Sequence, residues 1–183
     1  MTLIPTPKRS RRLPWLSAIS LAAMTALCAP LVVRGPTFIL WNASASVPEG
    51  LYIVQPNASL HVGELAVSTL PTGTRRLAAD RLYLPPDVLL IKPVAATYGS
   101  EVCRRGLSIL IDGVHVGDAL PSDRLHRVMP DWRGCRVLAS SEIFLMNPAV
   151  LDSFDGRYFG PTPLGLVEGR AFPLLTFAQR LRN

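Results

Sequence analysis

Lysine is almost absent from this chain. Of its 19 basic residues only Lys8 and Lys92 are lysines, and the rest are arginines. Arginine keeps its charge at any physiological pH, whereas a lysine taken out of water can give up its proton. Lys8 belongs to a basic N-terminal stretch. Lys92 sits in "DVLLIKPVAA", Asp87 to Ala96, an apolar run that reads as a buried strand. Lysine is among the residues least often buried without a partner. Histidine and cysteine are scarce too, at three each. There is no His-Glu-x-x-His and no Cys-x-x-Cys, so neither a zinc metalloprotease nor a zinc-ribbon fold has support, and no metal or cofactor is expected. A Gly-x-Ser-x-Gly elbow and a phosphate-binding Gly-x-x-x-x-Gly-Lys are also missing. His61, His115 and His126 fall in or beside predicted turns, and nothing pairs them with a particular serine. Internal repeats and low-complexity tracts are absent.

The formal charge of +6 points to nucleic acid only until it is located. Five basic residues, Lys8, Arg9, Arg11, Arg12 and Arg34, precede Gly35, which leaves 14 against 13 acidic residues in the body. A near-neutral body offers no basic face, so nucleic acid is not expected as a partner. Between the charges runs "LPWLSAISLAAMTALCAPLVV", Leu13 to Val33, uncharged and long enough to cross a bilayer. Its apolar run is longer than the core of a cleaved secretory signal. It therefore reads as an uncleaved anchor over residues 13–34, with a basic cytoplasmic tail over 1–12 and an exported domain over 35–183. A lipoprotein reading through Cys28 fails on the bulk of Leu27.

In the exported part proline and glycine are frequent and apolar runs are short, which favours strands. Strands are expected near Gly50–Val54, Glu64–Leu70, Val88–Ala95, Leu107–Ile111, Val114–Val116, Arg136–Leu138, Ile143–Met146 and Leu164–Phe172, with one helix over Thr74–Tyr83. "IDGV" predicts a tight hairpin. Residues 118–134, with Pro121 and Pro130, read as a surface insert. "FILW", Phe38 to Trp41, could rest at a membrane interface. The fold class is mainly β, antiparallel sheets around one or two small cores, preceded by one transmembrane helix. Cys103 and Cys135, both exported, leave one possible disulfide inside the domain.

Two further stretches carry candidate chemistry. "WNASASVPEGLY", Trp41 to Tyr52, is either a polar surface loop or a loop held by Pro48 and Gly50 that presents Ser46 as a nucleophile. "LDSFDGRYFGP", Leu151 to Pro161, contains a structural ion pair between Asp155 and Arg157, or a functional segment, and the two are compatible. Ser46, Lys92 and this segment occur in the order found in type I signal peptidases, and the chain most resembles their conjugative-transfer branch, the TraF-type peptidases that mature pilin subunits. The branch has a nucleophile motif that Asn42, Ser44, Ser46, Pro48, Gly50, Leu51 and Tyr52 match. It has a lysine followed closely by Val-Ala-Ala, as Lys92 is by Val94, Ala95 and Ala96. It ends in a segment that Ser153, Asp155, Gly156, Arg157, Tyr158, Phe159 and Gly160 match. Pro93 and "TYGS", Thr97 to Ser100, depart from that pattern.

The resemblance implies a signal-peptidase-like β body on one anchor in a bacterial inner membrane, with the N-terminus cytoplasmic and the catalytic domain periplasmic. It implies a Ser/Lys dyad in which neutral Lys92 takes the proton of Ser46. Ser44 would help to hold the oxyanion, Ser153 would hydrogen-bond the lysine, and Asp155 and Arg157 would hold the segment in place. The partners expected are the bilayer and an exported precursor, such as a pilin subunit. A housekeeping leader peptidase and a non-enzymatic component of a secretion apparatus remain alternatives.

Overall fold

The computed structural model describes residues 14–32 and 39–177. The chain divides into two units, Met1–Pro36 and Thr37–Asn183. In the first, α1 spans Pro14–Val32. Among the described residues no helix is long and apolar enough to cross a membrane. At 1.5 Å per residue α1 rises about 28 Å, just short of a hydrocarbon core of about 30 Å. The span expected over 13–34 needs Leu13, Val33 and Arg34 as well. Those residues, the basic tail over 1–12 and Phe38 lie outside the described residues.

The second unit is two antiparallel sheets. The larger has the strand order β1-β2-β11-β3-β4-β9-β10, and the smaller β7-β6-β5-β8. In chain order the larger comprises β1 (Ile39–Asn42), β2 (Gly50–Pro56), β3 (Leu65–Ser68), β4 (Leu90–Ala96), β9 (Glu142–Leu145), β10 (Thr162–Pro163) and β11 (Val167–Thr176). The smaller is β5 (Glu101–Arg105), β6 (Ser108–Ile111), β7 (Val114–Asp118) and β8 (Gly134–Val137). Helix α2 covers Thr72–Asp80 and the single turn α3 covers Gly156–Phe159.

Period-two alternation sets the cores. Tyr52 and Val54 of β2 pack with Val47, Val67 and Ile91. Strand β9 is buried on both faces, with Ile143 and Leu145 facing Ala66 and Val94, and Phe144 packing with Val102 and Ile109 of the small sheet and with Met146, the residue after β9. Gly50 has φ of 143°, and a Cβ there would lie 2.2 Å from the carbonyl oxygen of Leu175 on β11. The strands close at that end only because the position is glycine.

Several expectations need correction. Ile39–Asn42 forms an edge strand in register with β2, with Trp41 half exposed and near Phe177, a role that the interface reading of "FILW" did not foresee. Strand β5 and turn α3 were not expected. Residues Leu164–Leu166, read as the start of the last strand, form a 3₁₀ turn. That strand then runs past Phe172 to Thr176, its ladder shifting between Pro173 and Leu175. A proline at an irregularity is compatible with a strand, and this is why the composition misled. The Asp112-Gly113 hairpin forms as expected, both residues having positive φ. Cys103 and Cys135 face each other across β5 and β8 and are disulfide-bonded.

The segment over 118–134 lies mostly at the surface and is tied to the body by side-chain hydrogen bonds. Arg81 donates to the Val128 carbonyl at 2.8 Å, Tyr83 to Asp123 at 2.5 Å, and the Trp132 indole to the Gly156 carbonyl at 2.9 Å. The segment is thereby folded back over α2 and α3, and it forms one wall of the cavity described next.

Candidate active site

The loop carrying Ser46 is organised by Asn42, the buried last residue of β1. Its amide donates to the carbonyls of Ser44 at 2.9 Å, Val47 at 3.2 Å and Pro48 at 3.1 Å. Its Oδ1 accepts from the Ser44 N–H at 3.1 Å and from the Ser44 hydroxyl at 3.0 Å. Val47 plugs into the core, and the buried Tyr52 donates its hydroxyl to the Pro48 carbonyl at 2.7 Å. The motif from Asn42 to Tyr52 is therefore a self-bonded loop in which Ser44 and Ser46 remain at the surface. Their hydroxyl oxygens are 3.0 Å apart. Because the one Ser44 hydroxyl proton is committed to Asn42, Ser44 is the acceptor in that pair and Ser46 the donor.

Lys92 enters from β4, opposite Ala66 in the register with β3. It shares its face with Leu90 and Val94, while Ile91 points to the other core. Of the apolar run around it, Leu90 and Val94 are therefore its same-face neighbours on β4. Pro93 does not disturb this: the strand runs straight through it, and its carbonyl accepts from the Met146 N–H at 3.1 Å. The lysine is 3% exposed and donates to Ser153 Oγ at 2.7 Å. Burial pulls its pKa down from 10.5 to about 8, with Asp155 opposing the shift, Arg157 reinforcing it and Asp152 opposing it.

Asp155 and Arg157 are fully buried. The guanidinium meets the carboxylate through two bonds, Nε to Oδ1 at 2.9 Å and Nη2 to Oδ2 at 2.8 Å. Its remaining donors reach the carbonyls of Asp118, Leu151, Asn147 and Val150. Asp155 also caps α3 through the Arg157 N–H. Gly156 is required by close approach, since a Cβ there would lie 2.7 Å from the Leu145 carbonyl oxygen. The pair braces the chain around Ser153 and has no hydrogen bond to the lysine.

Ser44, Ser46, Lys92 and Ser153 all line one cavity of about 480 Å³. Tyr83, Leu84 and Leu90 add apolar wall on one side, and Leu120, Leu125 and Met129 of the folded-back segment add more. Among the described hydrogen bonds none joins Ser46 to Lys92. Both side chains nevertheless line the same cavity. Among the described residues, the one cluster with metal-ligand spacing is Glu101 with Cys103 and Cys135. Those sulfurs are bonded to each other and lie on the small sheet, away from this lining. Sequence reasoning missed Asn147, whose amide donates to the Ser46 carbonyl at 2.5 Å. A lone asparagine before a proline carries no signal that could have singled it out.

Residues 12–175 match the family described as signal peptidase, peptidase S26. The chain is 32% identical over 189 residues to a probable conjugal transfer protein TraF of Sinorhizobium fredii, covering 94% of this chain and 95% of that one. It is 28% identical over 150 residues to a plasmid transfer protein TraF of Escherichia coli, covering 78% of each. A solved signal peptidase I from Enterococcus faecalis V583 is 15% identical with a TM-score of 0.36, covering 62% of this chain and 97% of that one.

Proposed function

The chain belongs to the signal peptidase family S26, and from that premise we propose that it is a membrane-anchored serine endopeptidase, with a Ser46/Lys92 dyad, that processes exported precursors of a conjugative transfer system. The observation that carries the reading is a buried lysine, hydrogen-bonded to a neutral serine rather than to a carboxylate, lining the same cavity as the half-buried Ser46. At a pKa of about 8, roughly a fifth of the lysine is neutral near pH 7.4, against roughly 0.1% for a lysine in water.

Neutral Lys92 takes the hydroxyl proton of Ser46, whose oxygen attacks the scissile carbonyl. The oxyanion forms against the Ser46 N–H and the Ser44 hydroxyl, which must turn from Asn42 to reach it. The lysine ammonium then protonates the leaving amine, and water or another amine opens the acyl-enzyme. The relatives are named as plasmid and conjugal transfer proteins, which favours a substrate from a transfer system over a generic secretory one; a pilin precursor would be such a substrate. Residues 13–34 would anchor the chain in a bacterial inner membrane, with Lys8 to Arg12 on the cytoplasmic side and the β domain in the periplasm.

Co-expression with precursor proteins from the same operon, followed by product masses, tests the reading. Wild type should give a truncated product and Ser46→Ala only the precursor. A product lighter by one further water would mean that the ends are joined. Equal processing by Ser46→Ala would overturn the proposal.

The two supporting serines should separate by pH. Ser44→Ala should lower kcat about a hundred- to a thousandfold, the usual loss for one oxyanion donor, with the pH midpoint unmoved. Ser44→Thr should keep most of the rate. Ser153→Ala removes the lysine's hydrogen-bond partner and should shift the midpoint itself. The measurement is kcat/KM against pH on one peptide, and a shift in the Ser44 variant alone would reverse the two assignments.

A further inference from the structure

Ser46, Lys92 and Ser153 come from three separate stretches of chain, so their mutual placement depends on what ties those stretches together. Ser153 joins Lys92 to the segment after β9. The Ser46 loop is held internally by Asn42 and Tyr52 and is seated in the core by Val47 against Val67 and Ile91, none of which belongs to the segment after β9. Asn147 makes the cross-tie. Its Nδ2 donates to the Ser46 carbonyl at 2.5 Å across 101 residues of sequence. Its Oδ1 accepts from the Ala149 N–H at 3.0 Å, which fixes which end of the amide points at Ser46. Its backbone is gripped on both sides by the buried ion pair. The N–H donates to Asp155 Oδ2 at 3.1 Å, and the carbonyl accepts from Arg157 Nη2 at 3.1 Å.

Resting on the Ser/Lys reading, we propose that Asn147 is a positioning residue that registers the nucleophile loop against the segment holding the general base. The buried pair is the rigid support, Asn147 the strut and the Ser46 carbonyl the anchored point. An error of about 1 Å between reacting groups costs on the order of a hundredfold in rate, so one hydrogen bond across this gap suffices to matter. The cavity walls that would bind substrate are untouched by the tie, so the loss falls on kcat.

The test uses the full-length protein and one peptide substrate at about pH 9.5, above the titration of a lysine whose pKa is about 8. A penem that acylates the nucleophilic serine counts the active sites. Asn147→Ala should lower kcat per active site about thirty- to a hundredfold, with KM within about threefold and the thermal midpoint within a few degrees. Penem acylation should slow by the same factor. Asn147→Asp keeps the shape and the acceptor for Ala149 but offers no N–H, so it should lose as much, and it decides the matter if the alanine variant does not fold. A rate per active site within threefold of wild type in either variant would overturn the proposal, as would a loss explained wholly by fewer titratable sites or a raised KM. Ser46→Ala runs in parallel. If it still cleaves the peptide, the Ser/Lys reading falls and this inference with it; if only Ser46→Ala is inactive, the dyad stands and Asn147 is ordinary scaffolding.

Discussion

Lys92→Arg is expected to stop precursor cleavage as completely as Lys92→Ala or Ser46→Ala, although it preserves positive charge at the site. Guanidinium does not give up its proton at any working pH, so it cannot take one from Ser46. In the wild type, kcat/KM should rise with pH and level off above about 8, following the neutral fraction of the buried lysine. Stability should move the same way. The lysine titrates near 8 in the fold and near 10.5 unfolded, so between those values the unfolded chain holds more protons, and stability climbs with pH. Below pH 8 both states are protonated and the full penalty applies, on the order of 3 kcal/mol from a shift of this size. Lys92→Met should therefore be inactive yet more stable than wild type by an amount of that order at pH 7, the gain fading between about pH 8 and pH 10.5. Urea unfolding of both proteins at pH 7 and about 11 checks this, and near-normal cleavage by Lys92→Arg would remove the mechanism.

Arg157→Met should be the most damaging change away from Ser46 and Lys92. It leaves the Asp155 carboxylate fully buried without its guanidinium, and it strips a donor from the carbonyls of Asp118, Leu151, Asn147 and Val150. Breaking a buried pair from one side typically costs about 3–5 kcal/mol, a large share of a domain's stability. The urea midpoint should fall accordingly. What separates a brace from a catalytic group is the pH profile of whatever activity survives. Arg157 lowers the lysine's pKa and Asp155 raises it. Arg157→Met should thus move the midpoint to higher pH, and Asp155→Asn should move it lower. Shifts in the same direction, or none, would mean that the pair's charges do not reach the lysine.

Much of this architecture follows from neighbouring residues alone. Short apolar runs between prolines and glycines marked most of the strands, Asp112-Gly113 its hairpin, and the lone lysine in an apolar strand a group whose proton is easily lost. The loop from Asn42 to Tyr52 was legible as a loop, since almost all its bonds close within ten residues, but Asn42 and Tyr52, and not Pro48 and Gly50 alone, hold it. Other features had no local cause. Which face of β4 receives Lys92 depends on the sheet to which β4 adds. The turn of residues 118–134 back over the cavity depends on Arg81, Tyr83 and Gly156, partners tens of residues away. Asn147 reaches Ser46 only once β9 has paired with β4. Short-range patterns record the conformations that a segment prefers. The meeting of distant segments is decided by packing, which assembles residues whose own neighbourhoods give no hint of each other.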